Sequence, residues 1–408
     1  MWGRSMRRFW RNVHRCCGLG LACFLFVNAL SGSVIAFEHE LDVWLNPTLF
    51  RTPGRGAALE PDRLISVIER QDPRLRVALL PLDARPGESI EVQVERRHDL
   101  ADGQTKLGFD RLFVDPATGH ILGKRQWGEV RFDRVHLLPM MNRLHRSMLL
   151  PGQWGRWLLG GIAIAWLGLT LVGVYLTLPA ARGVRDKRTA RTHRLTSSFW
   201  SRWRPAWRMR VGTRGTCSTF ELHRATGLWT AAAALLLAFT GMSLNLANEI
   251  VKPTVALLSP VTPHPLSALP RLKEFPMAPT LSGSQAVNFA FDALPSQSKI
   301  FNPWYMSHIP DLGVYRVAFK EPGFRKNVGS LRYEQLYIDD NSGALRSIYG
   351  YNSGSSADRF LIWQYPLHSG KVLGVYGRIG VCLSGLLVAL LCAAGVYLYW
   401  CRSWRFNL

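Results

Sequence analysis

Four long apolar runs constrain this chain more than any other feature of its sequence. They cover approximately residues 16–37, 157–178, 228–246 and 379–400. Each has about the 20 residues that a helix needs to cross a hydrocarbon core of about 30 Å. A backbone surrounded by lipid must satisfy its hydrogen bonds within its own segment. Each run is therefore predicted to be a membrane-spanning helix.

The distribution of basic residues predicts which side of the membrane each connecting segment faces. Residues 1–15 carry five Arg and no acidic residue, and the connector 179–222 carries eleven Lys and Arg against Asp186 and Glu221. Because basic residues accumulate in cytoplasmic loops, both termini and this connector are predicted to be cytoplasmic. The two longer and nearly neutral segments, which follow the first and third runs, are predicted to lie on the other side.

The formal net charge of +22 does not indicate a nucleic-acid-binding protein, because it follows mainly from this cytoplasmic bias. Trp200, Trp203 and Trp207 alternate with Arg in the connector. This pattern resembles a nucleic-acid-binding patch, but beside membrane spans it favours an interfacial segment that lies on anionic lipid.

The two halves of the chain repeat each other. Seven residues of the first run recur in the third at a constant offset of 209: His14/His223, Arg15/Arg224, Gly18/Gly227, Leu19/Leu228, Ala22/Ala231, Ala29/Ala238 and Gly32/Gly241. Each half is predicted to consist of a helix, an external α+β module and a second helix. Since both halves begin and end on the cytoplasmic side, they are predicted to be parallel repeats related by a pseudo-two-fold axis along the membrane normal.

The external modules have recognisable elements. In the first, PDRLISVIERQ has helical spacing, ESIEVQVER alternates like a strand, and RLFVDPATGHILG predicts a β-hairpin. In the second, SGSQAVNFAFDAL predicts a helix, and GVYRVAFKE and EQLYIDD predict strands. Five aromatic residues are expected to be exposed, either bordering a ligand groove or packing the modules together: Trp304, Tyr305, Tyr315, Tyr349 and Tyr351.

Four histidines occupy corresponding positions of the two halves. His14 and His223 lie at the cytoplasmic ends of the first and third runs, and His145 and His368 follow the external modules. If corresponding positions face the pseudo-two-fold axis, each pair of imidazoles faces across it, which suits a haem with two axial histidines. The absence of Cys-x-x-Cys-His predicts that such a haem is not covalently attached. The alternative, that duplication copied solvated or capping histidines, stays open.

Other residues take secondary places in this prediction. His39 and His136 lack a counterpart in the other half and are reserve ligands, the latter on an interfacial helix interrupted by Pro139. Arg15 and Arg224 are candidate partners of haem propionates, although membrane anchoring explains them equally well. Four glycines are expected to make room for the macrocycle: Gly18, Gly227, Gly370 and Gly374. Gly32 and Gly241 are expected to serve helix packing. Five histidines are predicted to lie at the surface or in loops: His98, His120, His193, His264 and His308.

The stretches HRCCGLGLACFLFVNALSGSVIAFEHELDVWLNP, LFVDPATGHILG and LHRSMLLPGQWGRWLLGGIAIAWLGLTLVGVYL resemble the PepSY-associated transmembrane family. Within it, the chain is similar to inner-membrane ferric-siderophore reductases of the ferrioxamine type. The resemblance implies four helices, PepSY-like periplasmic modules, haem b and reductive release of siderophore iron. His14, His145, His223 and His368 are the positions that inherit haem ligation. PLHSG has Ser369 where the first half has Arg146, which argues against a general role for that Arg.

The predicted fold class is a polytopic α-helical membrane protein with four transmembrane helices, two parallel pseudo-symmetric repeats and two periplasmic α+β PepSY-like modules. Its segments are the N-terminus with the first helix (1–39), the first module with an interfacial helix (40–152), the second helix (153–178), the connector (179–222), the third helix (223–247), the second module (248–370), the fourth helix (371–400) and the cytoplasmic tail (401–408).

The predicted function is that of a multi-pass protein of the bacterial inner membrane with two haem b groups. No soluble flavin or nicotinamide domain is apparent, so a quinol or another membrane donor would supply the electrons that reduce a periplasmic ferric siderophore. Two alternatives stay open. One is a non-enzymatic PepSY-type sensor or binding protein; the other is a transporter of siderophore or iron, which the scarcity of acidic residues inside the spans disfavours.

Overall fold

The computed structural model describes residues 2–53, 56–97, 107–179, 198–210, 215–272, 279–322 and 332–404. The chain divides into two compact units. The helical unit comprises Met1–Ala36, Leu144–Ala247 and Leu367–Leu408, and the sheet unit comprises Phe37–Arg143 and Asn248–Pro366. Both halves of the chain therefore contribute to each unit.

The described residues form thirteen α-helices: α1 (Trp2–Ile35), α2 (Glu38–Leu45), α3 (Pro47–Phe50), α4 (Pro61–Gln71), α5 (Leu137–Ser147), α6 (Trp154–Thr177), α7 (Phe199–Trp203), α8 (Thr216–Asn245), α9 (Lys252–Ala256), α10 (Pro265–Ala268), α11 (Gly283–Asp292), α12 (Ser356–His368) and α13 (Gly374–Trp404).

Four helices of the helical unit are long and apolar enough to cross a membrane: α1, α6, α8 and α13. The predicted number of spans is confirmed, but α1 and α8 begin well before the apolar runs do, because nothing in their basic and polar first turns breaks a helix. His14 and His223 consequently lie inside helices rather than at their ends. The first span also ends earlier than predicted, since α1 stops at Ile35 and α2 starts at Glu38.

The helices of this unit pack as neighbouring pairs, α1 with α13 and α6 with α8, and α1 and α8 also contact α6 and α13, respectively. Ser33 on α1 donates a hydrogen bond to the Cys382 carbonyl on α13 over 2.9 Å. A β-carbon on Gly385 would lie 2.7 Å from the Ala29 carbonyl oxygen. A small residue at this position therefore permits the close approach of α1 and α13, as is common between membrane helices.

Residues 198–210 of the basic connector contact α8. The rings of Trp200, Trp203 and Trp207 follow one another at centroid distances of 5.3 Å, and Trp207 lies 6.0 Å from Trp229 on α8. Arg224 of α8 donates to the carbonyls of the same segment at Pro205, Ala206 and Arg208. The expectation that this segment lies on anionic lipid stays a prediction.

The sheet unit contains one antiparallel sheet with the order β4-β3-β2-β1-β5-β6-β7-β8. Its strands are β1 (Leu75–Pro81), β2 (Ile90–Arg96), β3 (Arg111–Val114), β4 (Ile121–Arg125), β5 (Asn302–Ile309), β6 (Val314–Lys320), β7 (Tyr333–Asp339) and β8 (Leu345–Gly350). Each half supplies four consecutive strands. They meet where β1 pairs with β5, through Leu80 opposite Met306 and Pro81 opposite Tyr305. The two predicted modules are thus halves of one sheet.

The core of the sheet unit lies beneath two helices that the sequence predicted, α4 and α11. Leu64 and Ile68 of α4 and Ala286 and Ala290 of α11 are buried against apolar residues of the strands. Asp62 in the first turn of α4 links the two halves, because its carboxylate accepts hydrogen bonds from the backbone N–H groups of Gly283 (2.7 Å) and Ser284 (3.0 Å). These donors are free at the start of α11, where a negative charge is also favoured.

The expectation of exposure is wrong for Tyr315, which is buried in the core beneath α4 and α11 and donates its hydroxyl to the Leu281 carbonyl. Trp304, Tyr305, Tyr349 and Tyr351 are partly exposed. The alternative that these aromatic residues pack the modules together agrees with Tyr305, which lies opposite Pro81 of the first half.

The prediction that His308 is a surface or loop residue is also wrong. It lies in β5, and its Nε2 is 2.9 Å from the Oδ2 atom of buried Asp340. His264 caps α10 by accepting from the Leu266 N–H, and His120 is exposed as expected. His98 and His193 lie outside the described residues.

We expect Asp62→Asn to lower the free energy of unfolding of the detergent-solubilised protein by about 1 kcal/mol, because a neutral amide is a weaker acceptor for the two N–H groups. Burial raises the pKa of Asp62, but hydrogen bonds from Ser284, Gly283 and Ser282 outweigh it and the net pKa is lowered. The contribution is therefore complete above the unfolded-state pKa and disappears as the pH falls through the folded-state value.

Denaturant unfolding followed between pH 3 and pH 7 checks this prediction. Asp292→Asn is the control, since Asp292 is exposed at the C-terminal end of α11. A pH-independent difference between wild type and Asp62→Asn would contradict it.

Candidate functional site

The four corresponding histidines come together as two pairs, both within the helical unit. The ring centroids of His14 and His223 are 6.4 Å apart with an interplanar angle of 79°. Those of His145 and His368 are 6.2 Å apart with an angle of 44°. Each pair takes one imidazole from each half of the chain.

The pairs lie at opposite ends of the long helices. His14 stands on α1 and His223 on α8, whereas His145 and His368 lie near the C-terminal ends of α5 and α12. The His145 ring contacts Gly32, which follows His14 by 18 residues on α1. At 1.5 Å per residue, the two sites are about 27 Å apart along that helix.

Backbone carbonyls orient the first pair. The Nδ1 atom of His14 is 3.2 Å from the Leu169 carbonyl oxygen on α6, and the Nδ1 atom of His223 is 3.1 Å from the Leu391 carbonyl oxygen on α13. A carbonyl only accepts hydrogen bonds, so Nδ1 carries the proton in both rings. The lone pair of each Nε2 remains available, as a histidine needs when it binds a metal through that atom.

The second pair is oriented in a similar way, with hydroxyl groups added. The Nδ1 atom of His145 is 3.0 Å from the Asn28 carbonyl oxygen and 3.3 Å from Ser31 Oγ. The Nδ1 atom of His368 is 2.9 Å from Thr240 Oγ1. Asn28 also donates its side-chain amide to the His145 carbonyl over 2.9 Å, which fixes this part of α5 against α1.

Each imidazole lies against a glycine of a neighbouring helix. A β-carbon on these glycines would lie within 2.8–3.5 Å of the Cε1 atom of the facing histidine: Gly32 with His145, Gly241 with His368, Gly173 with His14 and Gly395 with His223. Gly32 and Gly241 were expected to serve helix packing, and their contact with an imidazole was not predicted. Gly173 and Gly395 begin the stretch GVYL, which occurs in both halves at 173–176 and 395–398. This repetition marks the two glycines as corresponding residues, but it does not show that each lies against a histidine.

The glycines that were expected to make room for a macrocycle have other surroundings. A β-carbon on Gly18 or Gly227 would meet a leucine side chain at an ordinary distance of 3.8 or 3.9 Å. Gly370 and Gly374 have φ values of +71° and +61° and form the turn before α13. Their role is therefore to permit a left-handed backbone conformation.

The residues at both pairs fit an iron porphyrin. An iron between two imidazole nitrogens at about 2 Å each places the ring centroids about 6 Å apart, as observed. No group of three or more His, Cys, Asp or Glu residues suited to a metal occurs among the described residues. Two facing imidazoles are too few donors for a bare ion, whereas a macrocycle supplies the four equatorial nitrogens.

The reserve ligands lie elsewhere, in the sheet unit. The His39 ring packs edge-on against Phe50. His136 is buried, with Nδ1 at 2.8 Å from Asp133 Oδ1 and Nε2 at 3.5 Å from Glu129 Oε2. Both of its ring nitrogens thus face carboxylates. The prediction that Pro139 interrupts a helix is wrong. Pro139 lies in the first turn of α5, where its missing N–H costs no hydrogen bond.

The two arginines beside His14 and His223 have partners within the protein. The Arg15 guanidinium lies 5.6 Å from the Tyr399 ring centroid. Arg224 is held by the connector carbonyls described above and also lies over the Phe220 ring. The contacts of Arg224 support a structural role, in which it fixes the connector to α8.

An apolar cluster occupies the helical unit between the two pairs. Leu25 on α1 and Leu159 and Ile162 on α6 are buried together, with Trp166 and Cys392 packed against them. Leu25 lies between His14 and Gly32 along α1. An apolar lining of this kind does not favour a hydrated ion.

We expect Gly32→Ala to displace the His145 imidazole, because the new β-carbon would lie 2.8 Å from Cε1. If each pair holds a haem, the haem at the His145–His368 pair should then be lost from the purified protein, while the haem at the other pair is retained. Absorbance per chain measures the loss. Gly20→Ala is the control on the same helix, where an added β-carbon meets nothing within 4 Å. Equal haem content in the two variants would argue against haem binding by His145 at this position.

Comparison with known families agrees with the fold and the repeated motifs. The family model described as the PepSY-associated TM region matches residues 11–402, nearly the whole chain. A comparison with curated proteins gives no match. Four apolar helices, a separate antiparallel sheet and this match identify a multi-pass membrane protein that belongs to the PepSY-associated TM family.

Proposed function

We propose that this protein is a reductase of the bacterial inner membrane that holds two haem b groups and passes electrons across the membrane to a periplasmic ferric siderophore. One observation carries the proposal: two imidazole pairs are spaced 6.4 and 6.2 Å between ring centroids, one on α1 and α8 and the other against Gly32 and Gly241 near the far ends of the same two helices.

The chain's own residues would hold the cofactors and exclude water. His14 and His223 would ligate one haem iron and His145 and His368 the other. When bound, haem supplies reversible one-electron chemistry. The carbonyls of Leu169 and Leu391 keep the proton of the first pair on Nδ1. The apolar cluster of Leu25, Leu159 and Ile162 would lie between the two haems and exclude water there.

The orientation and the repeat are part of the proposal. The basic residues of 1–15 and of the connector favour cytoplasmic termini and a periplasmic sheet unit. Corresponding contacts favour two parallel pseudo-symmetric repeats: Leu169 and Leu391 accept from the first pair, and each half supplies four strands to the sheet. The two PepSY-like modules would be these four-strand halves with α4 and α11.

A ferric chelate is a suitable electron acceptor on the periplasmic side. Siderophores bind ferric iron through hard oxygen donors, which hold the softer ferrous ion less tightly. A membrane donor such as a quinol would be oxidised, and each electron would convert one ferric ion to a ferrous ion and weaken its hold in the chelate. The siderophore itself would remain chemically unchanged.

We expect the protein purified in detergent, after expression with ample haem supply, to contain two b-type haems per chain in a pyridine haemochrome assay. His14→Ala or His223→Ala should lose one haem, and His145→Ala or His368→Ala should lose the other, because a single imidazole cannot complete a pair. His120→Ala is the control, since His120 is exposed and lies in the sheet unit.

A second measurement tests the acceptor. Pre-reduced protein should be re-oxidised by a ferric hydroxamate, with ferrous iron trapped by a chromogenic chelator, and should react more slowly in either His145→Ala or His368→Ala. A colourless wild type would reject the reductase and favour a non-enzymatic PepSY-type binding protein. Uptake of the intact chelate into vesicles without a reductant would favour a transporter.

A further inference from the structure

Two buried hydroxyl groups occupy corresponding positions beside the second histidine pair. Ser31 on α1 and Thr240 on α8 are separated by 209 residues, the offset of the repeat. Their relative exposures are 1% and 0%. Ser31 Oγ is 3.3 Å from His145 Nδ1, and Thr240 Oγ1 is 2.9 Å from His368 Nδ1.

The directions of these hydrogen bonds follow from the single proton of each hydroxyl. Ser31 donates to the Val27 carbonyl over 2.8 Å, and Thr240 donates to the Leu236 carbonyl over 2.7 Å, in both cases four residues earlier in the helix. With the proton used in this way, each hydroxyl oxygen accepts from the imidazole. Nδ1 must then be the protonated nitrogen.

The two ends of the molecule differ in this respect. In the described part of the chain, His14 and His223 hydrogen-bond through Nδ1 to the carbonyls of Leu169 and Leu391 alone. Only the second pair has hydroxyl acceptors, and the carbonyls of Asn28 and Leu237, again at corresponding positions, accompany them. The same ligand set therefore has two different hydrogen-bond environments.

We propose that Ser31 and Thr240 are positioning residues that strengthen the hydrogen bonding of the Nδ1–H groups of His145 and His368 and thereby lower the reduction potential of the iron they hold. This inference rests on the proposed haem ligation. An acceptor at Nδ1–H makes the opposite nitrogen more basic, and a more basic axial ligand favours ferric over ferrous iron. The effect should be larger for Thr240 than for Ser31, because its contact is 0.4 Å shorter.

Thr240→Val tests the inference, because valine preserves the shape of threonine and removes the acceptor. In a spectroelectrochemical titration of the full-length protein, one of the two haem waves should move to higher potential and the other should stay unchanged. Ser31→Ala should move the same wave by less, and Thr240→Ser should restore it. Thr230→Val is the matched control. Thr230 is buried on the same helix, and its hydroxyl donates to the carbonyl four residues earlier, that of Thr226.

Histidine ¹⁵N chemical shifts give a second readout that does not need haem. In haem-free protein they should report a protonated Nδ1 at His368 in wild type, Thr230→Val and Thr240→Val, because the Leu237 carbonyl remains as an acceptor. The Nδ1 resonance should move only in Thr240→Val, where one of its two acceptors is lost. An unmoved potential together with unchanged ¹⁵N shifts in Thr240→Val would overturn the inference. A wild type that binds no haem would instead overturn the proposed function and the effect on potential.

Discussion

The structure of the helical unit depends on helix carbonyls that accept more than one hydrogen bond. A carbonyl oxygen has two lone pairs, and the helix uses one of them. At Leu169 and Leu391 the second is free to accept the Nδ1–H group of a histidine from another helix. Because the acceptor is a backbone carbonyl, the histidine needs no second polar side chain inside an apolar span, where a polar group is costly. Imidazole orientation is thus set by the position of the helix backbones.

Glycine is the other requirement of this arrangement. An imidazole can donate to a carbonyl on a neighbouring helix only if the two helices leave space for its ring. Gly173 and Gly395 supply that space four residues after the accepting carbonyls of Leu169 and Leu391, on the same face of α6 and α13. Carbonyl and glycine therefore act together, one as hydrogen-bond acceptor and the other as the surface against which the ring lies.

The sequence predicted what short-range patterns encode. The length of the apolar runs gave the number of spans. The constant offset of 209 residues selected His14 and His223, and the positions after the two external modules selected His145 and His368. It did not predict β1 and β5, because LRVALLP and NPWYMSHI lack a regular alternation and pair with each other across more than 200 residues. The partner of His308 was missed for a similar reason, since Asp340 reaches it only after the sheet has formed. The contact between Gly32 and His145 was not predicted, because it depends on the C-terminal end of α5 lying against α1.

The junction between β1 and β5 also protects the sheet. Each half alone would have a central strand with unpaired N–H and C=O groups along one edge, and such an edge tends to pair with other chains. In the complete protein these two edges pair at Leu80 with Met306 and at Pro81 with Tyr305, which covers part of each edge, and Asp62 adds a hydrogen-bonded link between the halves.

Each histidine pair takes one ring from each half, and this bears on what one half could do by itself. A polypeptide with only one half would have one member of each pair and an open sheet edge. Two such polypeptides would complete both pairs if they formed a homodimer with an isologous interface, in which the same surfaces of two copies meet around a two-fold axis. Joining the halves in one chain fixes their stoichiometry and lets corresponding positions differ, as Ser31 and Thr240 do.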